Sequence, residues 1–293
     1  MGGLLTGAPT RALLTALLAV TLSWAADPPR RIVSAAPSIT EMLYALGLGE
    51  KVVGVTTFCH YPPEVRDKPK IGSYVRPNME TILAMKPDLV VVLREHGSLV
   101  GRLRRAGLPV QALEHNSLAG IYASLRQLGA RAGVAAMAEQ RVGEIVAALE
   151  KIRARGASLP SRGVMFVVGR TPGTIQDLVV VGRGGFLNEL IRLAGGRNTF
   201  EDALSFYPRV PREEVYARRP EVLIDMGDMG QTDGVTEEQK RAVAELWKQM
   251  PLLPAVQSHR VYGVANDVFM VPGPRVAEAA RLLFEMIHPE AAQ

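Results

Sequence analysis

Two carboxylates stand out because the sequence around them occurs twice. Residues 80–91 read Glu-Thr-Ile-Leu-Ala-Met-Lys-Pro-Asp-Leu-Val-Val, and residues 213–224 read Glu-Glu-Val-Tyr-Ala-Arg-Arg-Pro-Glu-Val-Leu-Ile. Both copies hold Glu, a β-branched residue, Ala, a cation, Pro, an acid and an apolar run at the same offsets. Glu80 and Glu213 sit near the start of a short helix. There a carboxylate either complements the helix N-terminus or is held out toward a cationic partner. A second set of candidates is aromatic. Rings make up only 5% of the chain, yet Phe58, Tyr61, Tyr74, Phe206 and Tyr207 fall in predicted loops, where they suit a large, flat organic ligand. A third set is His60, His96 and His115, three imidazoles able in principle to hold zinc or manganese, alone or as the site of a metal-dependent enzyme. None has a short ligand spacing, so no metal site and no catalytic residue is assigned, and the role of Cys59 is left open.

The remaining catalytic signatures are missing. The chain has no Gly-x-Ser-x-Gly elbow, no His-Glu-x-x-His and no phosphate loop. Gly182-Arg-Gly184-Gly185-Phe-Leu187 imitates a dinucleotide fingerprint, but Leu187 occupies the third glycine position. Nothing organises an acid, a base and a nucleophile within reach of one another, and no resident cofactor is expected. The net charge of +5 is scattered, and no basic stripe interleaved with aromatics argues for nucleic acid.

These residues need elements to position them. In each copy of the repeat, Pro ends the helix, because the residue before Pro is pushed out of the α region. The apolar run that follows reads as a strand buried on both faces. From Arg31 onward, strand-like and helix-like segments alternate, which predicts parallel sheets covered by helices. Ser38 and Glu41 have the spacing of a capping box for the first helix. Ala135–Arg155 carries apolar residues at helical spacing and reads as one long amphipathic helix, and a second alternating series follows it. The layout is an α/β chain with an N-terminal lobe over 30–133, a linking helix over 134–156 and a C-terminal lobe over 157–293. In open parallel sheets the ligand lies beyond the carboxyl ends of the strands, which is where the aromatic loops fall.

Residues 1–25 stand apart. Arg11, an apolar stretch from Ala12 to Leu22, and Ser23-Trp24-Ala25 have the form of a signal peptide cleaved near Ala25. Cys59, the sole cysteine, lies far from that site, so no lipobox thiol and no intramolecular disulfide is expected. The periplasm is the expected compartment.

Taken together, Arg31-Ile-Val-Ser-Ala-Ala-Pro-Ser-Ile-Thr-Glu41, Tyr61-Pro-Pro, Asn78-Met-Glu80 with Lys86-Pro-Asp-Leu, and the second copy of the repeat resemble the periplasmic substrate-binding proteins of ABC importers. The class is the helical-backbone one that serves cobalamin, ferric siderophores and haem, and the chain is most similar to its cobalamin-binding receptors. The resemblance runs from about residue 30 to residue 287. It implies two Rossmann-like lobes, each a mostly parallel sheet flanked by helices, joined by one long helix with the ligand between them. It implies that Glu80 and Glu213 engage arginines of a permease dimer, that the receptor is a monomer, and that Tyr61, Tyr74, Phe206, Tyr207 and Asp267 face the ligand. Two departures bear on the ligand. The loop Asn266-Asp267-Val268-Phe269-Met270 keeps the Asp but lacks the expected Trp and second acid, and Leu93 replaces a cleft Trp. A corrinoid is the expected ligand; a ferric siderophore or haem is the alternative, for which Arg76, Arg94, Arg170 and Arg209 are predicted near the cleft.

Overall fold

The computed structural model describes residues 27–227, 236–264 and 267–291; the signal-peptide reading, Asn266 and the tip of the loop after Met226 lie outside them. The first lobe contains β1 (Ile32–Ser34), α1 (Pro37–Ala45), β2 (Val52–Gly54), α2 (Met79–Ala84), β3 (Leu89–Leu93), α3 (Gly97–Arg105), β4 (Val110–Leu113) and α4 (Leu118–Ala132). Its strands form a parallel sheet in the order β2-β1-β3-β4. β3 is buried on both faces: Leu89, Val91 and Leu93 point into one core cluster, Val90 and Val92 into another. Such two-sided burial produces a continuous apolar run instead of alternation.

A single helix, α5 (Ala135–Ala157), leads out of this lobe. Gly133, at φ +74°, caps α4 in the left-handed conformation and lets the chain turn directly into it. By its rise per residue α5 is about 34 Å long. It buries Ala138, Val142, Ile145 and Leu149, a spacing of four, three and four that keeps one stripe inward. That stripe packs on α4 from the first lobe and on α6 and α10 of the second. One continuous core cluster therefore runs from Ile32 and Ile39 through Val142 to Phe166 and Leu283.

The second lobe holds β5 (Arg162–Gly169), β6 (Leu178–Val180), α6 (Gly185–Leu193), β7 (Gly196–Asn198), β8 (Arg209–Val210), α7 (Arg212–Arg218), β9 (Val222–Asp225), α8 (Glu237–Leu246), α9 (Pro254–Gln257), β10 (Val261–Gly263) and α10 (Val276–Ile287). The sheet order is β10-β9-β5-β6-β8, with β7 also paired to β5. β10, β9, β5 and β7 pair in parallel, whereas β6 and β8 run antiparallel at one edge. The three short strands β6, β7 and β8 escaped the sequence reading, because two or three residues cannot establish a period.

The repeat has the same structure in both lobes. Glu80 and Glu213 are each the second residue of their helix, α2 and α7. The cations before Pro, Lys86 and Arg219, adopt φ +46° and +48°. They leave the helix through the left-handed region, not the extended one that the proline rule favours. The acids after Pro pin the neighbouring strand. Asp88 accepts from the backbone N–H groups of Arg30 (2.7 Å) and Arg31 (2.9 Å) beside β1, and Glu221 accepts from the N–H of Gly163 (2.7 Å) in β5.

The capping-box expectation is overturned. Pro37 is the first residue of α1, Ala36 caps without a side-chain bond, and the Glu41 side chain is buried against Arg275 instead of reaching back to the cap.

Candidate functional site

A cleft of about 740 Å³ lies between the lobes, within the size range of small-molecule sites. It is built at the carboxyl ends of the strands: Pro37 and Ser38 follow β1, His60 and Tyr61 follow β2, Glu95 follows β3, His115 follows β4, and Met226 follows β9. Tyr61, Tyr74, Phe206, Tyr207 and Asp267 are all in its walls, as are Phe58, His60 and His115. Tyr61, Phe206 and Tyr207 stay 44%, 49% and 44% exposed, so their rings offer apolar area to a ligand. Leu93 is instead fully packed in the core.

The two walls differ in chemistry. The C-terminal lobe contributes Val168, Val179, Phe186, Leu187, Phe206 and Phe269, an almost unbroken apolar surface. Gly182 and Gly184 serve it: a Cβ on the first would strike the Ser205 carbonyl at 2.3 Å, and one on the second the Phe206 ring at 2.8 Å. These glycines make room for the aromatic rim loop, which explains a fingerprint-like run with no phosphate chemistry.

The N-terminal lobe carries most of the polar groups, centred on Glu95. Tyr74 Oη donates to Glu95 Oε1, His115 Nε2 lies 3.7 Å from the same carboxylate, and His115 Nδ1 is 2.9 Å from Ser38 Oγ. His96 packs edge-on against Tyr74, with ring centroids 4.6 Å apart. Burial and the bond to Glu95 push the Tyr74 phenol well above its ordinary pKa, and burial with the Glu95 charge pushes Tyr207 up from the opposite wall. Burial lowers His115 against the pull of Glu95, and lowers His96 likewise. Both imidazoles are thereby biased to the neutral form. Among the described residues no three His, Cys, Asp or Glu side chains are grouped to hold a metal ion.

Of the arginines expected near the cleft, none of Arg76, Arg94, Arg170 and Arg209 is part of its lining. Arg94 borders a smaller hollow of about 270 Å³ beside Glu95 and His115. Arg76 and Arg209 are exposed. The Arg170 side chain is buried, with Nε 2.9 Å from Asp225 Oδ2. The cation that does reach the site is one the sequence reading passed over, Arg275. Its guanidinium forks onto Asp267 (2.9 Å to each oxygen), pairs with Glu41, and lies over the Tyr61 ring with Cζ 4.0 Å from the centroid. Glu95 had a signal, since it leaves the carboxyl end of a strand. Arg275 had none, because nothing in its neighbourhood predicts a partner 234 positions away.

Outside the cleft, Glu80 and Glu213 are both exposed in the first turn of their helices and make no ion pair among the described residues. Neighbouring Glu214 is held by Arg218 at 2.8 Å, so the repeat leaves one unpartnered carboxylate on each lobe.

Two α/β lobes joined by one long helix, with a cleft between the strand ends, have the architecture of a two-lobed solute receptor. The chain belongs to the periplasmic binding protein family, whose model matches residues 32–268. It is 32% identical to a vitamin B12-binding protein of Pectobacterium atrosepticum, over 92% of this chain and 91% of that one. It is 30% identical to an uncharacterised ABC transporter substrate-binding lipoprotein, YvrC, of Bacillus subtilis, over 89% and 81%. Its fold also matches the periplasmic haem-binding protein RhuT of Roseiflexus sp. RS-1, with a TM-score of 0.76 and 27% identity over 90% and 99%. Proteins of this family bind small ligands and work with ABC transporter permeases; they are not enzymes.

Proposed function

We propose that the cleft captures a corrinoid and that the protein, exported to the periplasm and acting as a monomer, delivers it to an ABC permease dimer by way of Glu80 and Glu213. The observation that carries the ligand reading is the cleft lining: rings and aliphatic side chains from both lobes, a few hydrogen-bonding groups that include Glu41, Glu95 and Asp267, and no arginine or lysine. A corrinoid is broad, largely apolar across its faces and edged by neutral amides, which rings and polar groups such as Ser38, Asn116 and the Glu95 network can meet. Haem propionates or an anionic ferric chelate call for cations at the wall. The kinship with a vitamin B12-binding protein supports the same choice; the likeness to a haem-binding protein keeps haem as the second reading.

The visible absorption of protein incubated with cyanocobalamin, haem or a ferric siderophore and then stripped of free ligand tests this. Stoichiometric retention of the corrinoid is expected. Retention of haem or the ferric chelate, with none of the corrinoid, overturns the reading.

A further inference from the structure

Besides the backbone N–H of Leu118, which donates to Glu189 Oε2 at 3.3 Å, one ion-paired cluster ties the two lobes together among the described residues. Glu41 lies on α1 and Tyr61 follows β2, both in the N-terminal lobe, while Asp267 and Arg275 belong to the strap that leads into α10. Arg275 Nε and Nη2 donate to the two oxygens of Glu41, and Nη1 and Nη2 donate at 2.9 Å to the two oxygens of Asp267. The face of the guanidinium is taken by Tyr61. The strap also presses on α1 elsewhere, for a Cβ added at Gly273 would meet Glu41 Oε2 at 3.3 Å. Glu41 is 3% exposed and Arg275 13%. Separating the lobes here would therefore strand a buried carboxylate, which is costly.

We infer that Arg275 is the positioning residue of the ligand site: outside the cleft lining itself, it locks the two lobes together and sets the Tyr61 ring at the angle the ligand meets. Asp267 acts through the same guanidinium, orienting it: its two oxygens each accept one bond from Arg275. Four of the five N–H donors of Arg275 are used, and a lysine, with a point charge in place of a planar fork, cannot reproduce the arrangement. The inference rests on the cleft being the ligand site, not on which ligand fills it.

The test is a double-mutant cycle on ligand affinity with Arg275→Met and Tyr61→Leu, using cyanocobalamin, or haem or the ferric chelate if that is what the wild-type protein retains. Wild-type preference for another ligand corrects the function proposed above and leaves the tie standing. Arg275→Met is expected to weaken binding about 10- to 100-fold, the range of a single buried anchor, and Arg275→Lys to recover only part. In the Tyr61→Leu background the Arg275→Met effect should shrink to under about threefold, the signature of coupled residues. Leu99→Ala, on the far side of the first sheet, is the destabilised control and should leave affinity intact. Equal losses in both backgrounds, or full affinity in Arg275→Met, overturn the inference. A measurement free of ligand runs beside it: hydrogen exchange in Arg275→Met should rise together in α1 and residues 267–275. Unchanged protection there also overturns it.

Discussion

Replacing Arg170 by Met separates an arginine that holds the fold from one that holds a ligand. Arg170 and Asp225 are 2% and 0% exposed. Asp225 Oδ2 accepts from Arg170 Nε at 2.9 Å and from Trp247 Nε1 at 2.7 Å, and its Oδ1 accepts from the Gly227 N–H at 2.7 Å. Removing the guanidinium leaves a buried carboxylate with two neutral donors and no counter-charge. Breaking a buried pair from one side costs about 3–5 kcal/mol. The two surviving bonds place this case near the lower end, about 3 kcal/mol, or a fall of roughly 5 °C in Tm for a chain of this size. Met fills most of the volume, so little of the loss comes from a cavity. Ligand affinity, measured by calorimetry well below the new Tm, should stay within about twofold, since non-contacting sites act independently. Adding Asp225→Asn should restore part of the stability, because it removes the stranded charge. A variant that keeps its Tm but loses ligand would refute the reasoning and return Arg170 to the cleft.

Three further outcomes are expected. Glu80→Ala with Glu213→Ala should leave ligand affinity unchanged while abolishing uptake in a reconstituted importer; full uptake by the double mutant would remove both from docking. Tyr207→Ala should weaken corrinoid binding by about 1–3 kcal/mol by calorimetry, the cost of losing a buried aromatic anchor. Glu41 should give the stability a pH dependence. Burial, opposed by Arg275, raises its pKa from 4.5 to about 7, so the folded chain keeps a proton that the unfolded chain releases above about 4.5. That contribution is present in full below the unfolded value and is lost as pH rises through about 7, with a slope of at most about 1.4 kcal/mol per pH unit. The depressed histidines push the other way, so the measurement is the difference between wild type and Glu41→Gln in urea titrations from pH 5 to 8. A flat difference would contradict it.

Much of the fold was legible because the long elements carry strong periods. The stripe Ala138, Val142, Ile145 and Leu149 announces α5, and the unbroken run Leu89–Leu93 announces a strand covered on both faces. The repeat was legible for a deeper reason than its carboxylates. Its Pro, its acid and its apolar run each have one structural task, and Asp88 and Glu221 perform the same task in both lobes. What failed were inferences from two-residue coincidences. Ser38 and Glu41 satisfied the spacing of a capping box, yet Pro37 starts the helix and a distant arginine claims the acid. β6, β7 and β8 are two- or three-residue strands made by tertiary pairing, β6 and β7 with β5 and β8 with β6, which no local window contains.

The site divides along the same line. Tyr61, in the loop that leaves β2, can be placed by topology, and Tyr74 and Tyr207 by their matching positions ahead of the two helices of the repeat. Charges obey no such rule, because their positions are settled by which partners they find. Arg170 leaves the carboxyl end of β5, where topology would aim it at the cleft, but a buried guanidinium requires a carboxylate and Asp225 supplies one behind the wall. Arg275 stands at the start of α10, where the favoured charge is negative, and is held there by two carboxylates, one from each lobe. The aromatic part of a two-lobed cleft is thus readable from one sequence. Its charged part has to be read from the pairs, and in this protein the pairing takes the predicted arginine out of the wall and puts an unforeseen one between the lobes.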